Sequence, residues 1–375
     1  MIQSCFDRWT LHNASVLVRV DWNVPIADGV ILDDFKLERS LPTLNALRAR
    51  GARLVLITHM GRPNGFDASL STQQLIAWFN QRGYSMVFAG TLEKAQQLLK
   101  QDATMVLLEN IRFWPQEREH NAAFAQQLAT LGQFCVVDAF ASLHDTDTSI
   151  TLLPRLFCPD RLSCGLLVSE ELRALEHITN HPARPFIAII GGGKIDTKHN
   201  LIQAMALHAD RVFIGPALCF SLMGSSSDTT QMSMELNRTH DESLVVPQDF
   251  IVAHGSLGGP LERDPVTIIG SDQIGVTIGP RTVHAWSKEI YAAKTVLYSG
   301  LMGDVRYPRT LSGVHALYTA MTQTQAYTLI AGGDSVAAAR ALGIADRVSY
   351  CSTGGGASLS YICGKALPGL NALAC

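Results

Sequence analysis

The chain has no uninterrupted apolar run of about 18 residues, roughly what a helix needs to cross a bilayer. Its first ten residues, MIQSCFDRWT, contain no basic start leading into an apolar segment. These absences predict a soluble, cytoplasmic protein with no membrane partner. Charge of one sign is also missing: 30 Lys and Arg against 33 Asp and Glu give a formal net charge of -3, so no long-range field draws the chain to nucleic acid. Any phosphate binding must be local. The eight cysteines contain no C-x-x-C pair, which argues against a zinc site or a disulfide framework. No G-x-x-x-x-G-K-S/T is present and no strand leads into G-x-G-x-x-G, so neither the P-loop nor the dinucleotide fingerprint applies, and a nicotinamide dehydrogenase is disfavoured. There is no internal repeat of about 20 to 50 residues, and the one low-complexity tract is Ser225–Ser227.

What is present is ample apolar material, 47% of 375 residues, with only 17% charged, enough for two compact domains. Short aliphatic runs alternate with helical patterns along the chain, the signature of βα units and parallel sheets. In the first half the runs are SVLVRV (15–20), ARLVLIT (52–58), SMVFAG (85–90), ATMVLLEN (103–110) and QFCVVDAF (133–140). In the second they are PFIAII (185–190), DRVFIG (210–215), KTVLYSG (294–300), AYTLIAGG (326–333) and DRVSYCSTGG (346–355). Between them, residues 168–185 have helical spacing, with Ser169 as the expected N-cap, and read as a linking helix. Residues 224–285 are ambiguous in period.

In open parallel sheets, ligands bind beyond the carboxyl ends of the strands. There the first half presents Asp21 and Asn23, then His59 and Arg62, then Arg112, then Asp138 and His144. Cations converging from separate loops predict a site for a small anion, since guanidinium forks match carboxylate or phosphate oxygens; the alternative is a set of unrelated surface ion pairs. The second half presents GGGK (191–194), AGGDS (331–335) and TGGGAS (353–358), each leading toward a helix. Glycine lets backbone N–H groups approach an anion at a helix N-terminus, and three such loops, with Lys194 and Lys198 nearby, predict a polyphosphate site. Asp334 among these glycines suits a magnesium ligand or, alternatively, an N-cap. His177 and His181, four apart, lack a third metal ligand and read as a solvated helix face.

The strings VRVDWNVP (18–25), THMGRPNG (58–65), LLENIRF (107–113), VVDAF (136–140), RPFIAIIGGGKIDTK (184–198), AGGDS (331–335), STGGGASLS (352–360) and GKALPG (364–369) resemble phosphoglycerate kinase in wording, order and spacing, over nearly the whole chain. The resemblance implies an α/β fold of two Rossmann-like, doubly wound parallel-sheet lobes joined by a hinge helix. It divides the chain into a carboxylate-binding lobe (1–167, completed by a tail, 364–375), the linking helix (168–185) and a nucleotide-binding lobe (186–363). By the same resemblance, the protein is a monomer that closes like a hinge and takes a small-molecule carboxylate, with ATP or ADP and Mg2+. Asp21 and Asn23 would bind the substrate's hydroxyl and carboxylate region, and His59, Arg62 and Arg112 its anionic end. Gly192, Gly193, Lys194, Lys198, Gly215, Ser299, Arg306, Gly332, Gly333, Asp334 and Ser335 would form the nucleotide site, with Asp334 on the metal. Lys36, Lys198, Gly333, Gly355 and Gly356 would surround the transferring phosphoryl group.

The chain departs from the family at telling positions. Lys36 stands where the family has arginine, keeping the charge but losing the planar fork. His144, Asp145, Thr146 and Asp147 replace a histidine, arginine, any residue, histidine pattern, so two basic positions have become acidic. Ser299, Gly300 and Leu301 stand for N-G-P, Arg306 for the ribose-binding glutamate, and Gly215, Pro216 and Ala217 for the adenine loop. Either Asp145 and Asp147 point outward or pair with Arg62 or Arg112, leaving a weakened but ordinary site, or the substrate is a carboxylate other than 3-phosphoglycerate, with an amino or neutral group in place of the phosphate. An ordinary glycolytic enzyme with a weakened site, and a non-catalytic nucleotide-binding regulator, are the competing readings.

Overall fold

The computed structural model describes residues 4–193, 195–223, 243–262, 264–270 and 272–374; Lys194 and Ser225–Ser227 lie outside them. Two compact units account for the chain: residues 1–173 with 365–375, and residues 174–364.

Each unit is built on a six-stranded parallel sheet. In the first, the strand order is Met86–Ala89, Met105–Leu108, Arg53–Ile57, Ser15–Val20, Phe134–Asp138, Leu162–Cys164. In the second it is Leu244–Val245, Arg211–Ile214, Phe186–Ile190, Thr295–Ser299, Tyr327–Ala331, Tyr350–Cys351. A parallel sheet covered by helices is buried on both faces, so its strands are continuous apolar runs rather than alternating ones. Val16, Leu17, Val18 and Val20 are all fully buried, as are Phe186, Ala188, Ile189 and Ile190.

The strand order reverses beside Ser15–Val20, which pairs with Arg53–Ile57 on one side and Phe134–Asp138 on the other. It reverses again beside Phe186–Ile190, flanked by Arg211–Ile214 and Thr295–Ser299. Loops leaving neighbouring strands in opposite directions open a crevice at such points. Each unit therefore offers one ready-made binding crevice.

The ambiguous stretch resolves in part into an antiparallel pair, Phe250–His254 with Gln273–Ile278, whose register slips between Ile251 and Val252. The expected linking helix begins earlier than its pattern indicates, running Leu166–Thr179, and Ser169 lies inside it. Its first N–H groups are capped from elsewhere in the fold: Leu166 donates to Thr43 Oγ1 (2.9 Å) and Val168 to Asp138 Oδ1 (3.2 Å). Ser169 Oγ instead accepts from the Ser4 N–H (3.0 Å). At the other end of the chain, the helix Pro368–Leu373 packs on Thr148–Thr151, with the Gly369 N–H on Leu143 O at 3.0 Å. Among the described residues, no helix is long and apolar enough to cross a membrane.

Candidate active site

The crevice of the first unit is organised around Asp21, which leaves the strand Ser15–Val20 almost buried. Its Oδ1 lies 2.9 Å from Lys36 Nζ on the helix Phe35–Ala49, and its Oδ2 accepts from Ser142 Oγ at 2.9 Å. Ser142 follows the strand on the far side of the reversal, so this bond closes the crevice floor. Burial alone would raise the Asp21 carboxyl, but Lys36, bonded to it, and Arg19 override it and hold the group well below the usual carboxylate range. Asn23, exposed, donates its N–H to Asp21 Oδ1 (3.1 Å) and accepts the Gly61 N–H on its Oδ1 (3.0 Å), tying this loop to the one that carries His59.

His59 is buried with its Nδ1 3.2 Å from Arg19 Nη2. Burial, then the cations Arg19, Arg112 and Lys36, push its pKa well below the ordinary histidine value, against the opposing pull of Asp21. Arg112 follows the strand Met105–Leu108 and is bound on every nitrogen. Nε and Nη2 meet Asp147 Oδ2 at 3.1 and 2.9 Å, Nη2 also meets Asp145 Oδ2 at 3.2 Å, and Nη1 donates to Gly61 O at 3.0 Å. His144, exposed, holds its Nε2 3.6 Å from Asp145 Oδ1. Arg62 is exposed, with no ion pair to a described residue.

In the second unit a cleft of about 600 Å³ opens at the ends of the strands Phe186–Ile190, Thr295–Ser299 and Tyr327–Ala331. Gly192, Gly193, Gly332, Gly333, Asp334 and Ser335 line one part of it, and Gly300, Leu301, Gly303 and Asp304 to Arg306 another, with Lys198 between. Glycine is obligatory at the strand exits: Gly300 has φ +96°, and a Cβ there would sit 2.0 Å from Gly191 O, while one on Gly191 would sit 2.3 Å from Gly300 O. Gly332, at φ +104°, starts the helix Gly333–Ala341, whose N-terminus faces the cleft and favours an anion. A Cβ on Gly193 or Gly333 would meet nothing within 4 Å, so space is free over these backbones.

Lys198 is mostly buried and donates from Nζ to Ser299 Oγ at 2.9 Å. Burial lowers its ammonium to about 8, against the pull of Asp334. Ser335 Oγ accepts the Gly300 N–H at 2.9 Å, coupling two glycine loops. Arg306 is folded onto Asp304, with Nη2 2.6 Å from Oδ2 and Nε 3.0 Å from Oδ1, so its charge is met by a neighbouring acid.

The first unit thus gathers Asp21, Lys36, His59, Arg112, Asp145 and Asp147 into one interacting set, with Asn23 at its edge. The second gathers Lys198, the glycine loops at 192–193 and 332–333, Asp334, Ser335 and Arg306. Ser299 contacts Lys198 without lining the cleft; Gly215 packs against Gly191 and Met302; Gly355, at φ +48°, and Gly356 lead into the helix Gly356–Ile362 beside the cleft residues' sheet. Lys194 lies outside the described residues. Sequence reasoning missed Ser142, Asp304 and the buried trio Arg19, Glu117 and Ser149. Arg19 did leave a signal, as the one charge within VLVRV.

Comparison with known proteins agrees with this geometry. A family model described as phosphoglycerate kinase matches residues 6–365. The phosphoglycerate kinase of Rubrobacter xylanophilus is 36% identical over 380 residues, covering 97% of this chain and 96% of that one. That of Gloeobacter violaceus is 34% identical over 396 residues, covering 97% and 96%. Among solved structures, phosphoglycerate kinase from Coxiella burnetii superposes with a TM-score of 0.81 at 27% identity, covering 99% of each chain. The enzyme from Pyrococcus horikoshii gives 0.84 at 24% identity over 100% and 98%, a likeness of fold.

Proposed function

Because the chain belongs to the phosphoglycerate kinase family, whose members are kinases that phosphorylate a carboxylate to an acyl phosphate, we propose that it moves a phosphoryl group between ATP and a carboxylate other than 3-phosphoglycerate, one whose far end carries no phosphate. The pairing of Asp145 and Asp147 with Arg112 is by itself also what a weakened but ordinary site would show; what favours the other-substrate reading is its charge, since two acids enclose the one guanidinium. The charges of the site are otherwise matched as well: Lys36 faces Asp21, and His59 is held neutral. Of the two arginines the resemblance assigns to the substrate's anionic end, Arg62 is exposed and has no ion pair to a described acid. A phosphate dianion brought beside two carboxylates would meet repulsion; at an effective dielectric of about 20, each unit charge near 4 Å is worth on the order of 4 kcal/mol before solvent discounting.

The chemistry asks little of a general base, since a carboxylate is already ionised at neutral pH. Asp21 and Asn23 would orient the substrate through its hydroxyl, and Lys36 would stabilise the carboxylate that attacks. On the nucleotide side, Lys198 and the N–H groups of Gly332 and Gly333 would bind the phosphates and follow the transferring group, so that positioning and charge neutralisation supply the catalysis. Among the described residues, no group of three or more His, Cys, Asp or Glu is suited to hold a metal by itself. Asp334, an exposed carboxylate in the cleft, would help hold a magnesium ion arriving with the nucleotide, which would supply neutralisation of phosphate charge there.

Hydroxylamine trapping tests the proposal, because acyl phosphates convert to hydroxamates. With Mg-ATP and a panel of hydroxy- and amino-carboxylates lacking phosphate, at least one should yield hydroxamate together with ADP. A panel that yields neither, while nucleotide still binds, would leave a nucleotide-binding regulator and end the enzymatic reading of this site.

A further inference from the structure

Below the carboxylate crevice runs a line of buried hydrogen bonds that substrate binding does not account for. Arg19 is 1% exposed, the one charged residue in its strand. Its Nε donates to Ser149 Oγ at 2.8 Å, Nη1 donates to Val20 O, and Nη2 faces His59 Nδ1 at 3.2 Å. Ser149 in turn stands against Glu117: Oγ is 2.5 Å from Oε1, and its N–H is 2.9 Å from Oε2. Glu117 and Ser149 are both fully buried.

The direction of each bond follows from the donors available. A guanidinium has N–H groups and no acceptor, so the ring nitrogen it meets must present a lone pair. His59 Nδ1 is therefore the acceptor, and the ring proton sits on Nε2. Ser149 Oγ accepts from Arg19 and so sends its own hydrogen to Glu117. Below about pH 7, where burial keeps Glu117 protonated, Asp21 and Asp147 supply the counter-charge without which a buried arginine would be costly, and Glu117 adds to it once ionised. A second proton on His59 would set an N–H against the guanidinium. Of the charged groups facing the ring among the described residues, Asp21 favours that proton, and Arg19, Arg112 and Lys36 oppose it.

We propose that Glu117, Ser149 and Arg19 form a positioning relay that fixes His59 as its neutral Nε2–H tautomer, so that His59 meets the substrate as an uncharged hydrogen-bond donor. The substrate half of this statement rests on the assignment of His59 to the carboxylate site; the tautomer does not.

Ring-nitrogen NMR of the full chain labelled with 15N-histidine reads the tautomer without any substrate, the His59 signals being identified by their loss in His59→Gln. The expected spectrum shows a protonated Nε2 and a bare Nδ1, unchanged from about pH 5.5 to 8.5, across the ordinary histidine value near 6.5. Ser149→Ala should release the ring, giving mixed tautomers or titration in that window, and raise KM for the carboxylate about tenfold, the equivalent of one hydrogen bond, with kcat little changed. Ser149→Thr, which retains the hydroxyl, should restore both. A protonated Nδ1, ordinary titration in the unaltered protein, or ring signals indifferent to Ser149→Ala would overturn the relay. The predicted tautomer combined with a carboxylate KM indifferent to His59→Gln would leave the relay standing and remove His59 from the substrate site.

Discussion

Arg112 and Asp147 are 35 residues apart in sequence, yet two nitrogens of the one converge on a single oxygen of the other, at 2.9 and 3.1 Å. Asp145 completes the enclosure from 3.2 Å. A cation that the family resemblance assigns to substrate thus has its counter-ions built into the same chain.

Releasing it should change what the site binds. The double substitution Asp145→Asn, Asp147→Asn keeps hydrogen-bond acceptors but removes two negative charges, and is expected to tighten 3-phosphoglycerate binding by about 10- to 100-fold, a discounted share of the Coulomb term. Isothermal titration would read this directly; unchanged or weaker binding would show that the enclosure does not govern selection. Conversely, Arg112→Ala leaves two carboxylates facing one another in a nearly closed site and should lower stability by about 3 kcal/mol in urea unfolding.

The Asp21–Lys36 pair makes a second demand. Lys36→Met strands a buried carboxylate with one remaining side-chain donor, Ser142, and should reduce turnover by about 100-fold or more, whereas Lys36→Arg, which retains the charge, should reduce it far less. Steady-state rates with the carboxylate found by hydroxamate trapping would separate the two.

Stability should fall as pH rises toward neutrality. Burial lifts Glu117 from 4.5 to about 7 and Asp138 from 3.8 to about 6, so the folded chain keeps protons that the unfolded chain releases. The Glu117 contribution is fully present below about 4.5 and is lost as pH climbs through about 7, on the order of 3 kcal/mol over the interval. Asp21, held low, acts the opposite way only in acid: its contribution is present above 3.8 and disappears below it. Urea midpoints from pH 4.5 to 7.5 should therefore decline in the unaltered protein and decline less in Glu117→Gln; parallel slopes would contradict the assignment.

Nucleotide affinity should carry the signature of Lys198. With its ammonium near 8 in the free protein, affinity for Mg-ADP is expected to weaken as pH rises through that value. Lys198→Arg, which stays charged, should flatten the profile.

Two glycines separate fold from function. Gly300→Ala sets a Cβ 2.0 Å from a backbone oxygen at positive φ and should cost about 3 kcal/mol or more of stability. Gly333→Ala meets nothing within 4 Å and starts a helix, so its stability should hold within about 1 kcal/mol while nucleotide affinity falls. Loss of stability without loss of affinity at Gly333 would place the phosphates elsewhere.

Much of this was legible in the sequence because parallel strands are continuous apolar runs, and the residues that end them are where crevices form. Asp21, His59, Arg112, the loop 191–193 and the loop 331–335 were found that way. The helix Leu166–Thr179 was misread at its start because its caps, Asp138 and Thr43, come from elsewhere in the fold, and a local pattern cannot report them. Strands of two or three residues such as Leu162–Cys164 and Leu244–Val245 are too short to carry a period. The sequence did allow that Asp145 and Asp147 pair with a nearby arginine, but it could not choose between Arg62 and Arg112, since only the packing of separate loops decides which guanidinium they reach.

The account is tested most directly by kcat/KM of the unaltered protein for 3-phosphoglycerate, measured beside that for the phosphate-free carboxylate giving the strongest hydroxamate signal. The predicted ratio is well below one. Efficient turnover of 3-phosphoglycerate, with the phosphate-free compounds far behind, would contradict it.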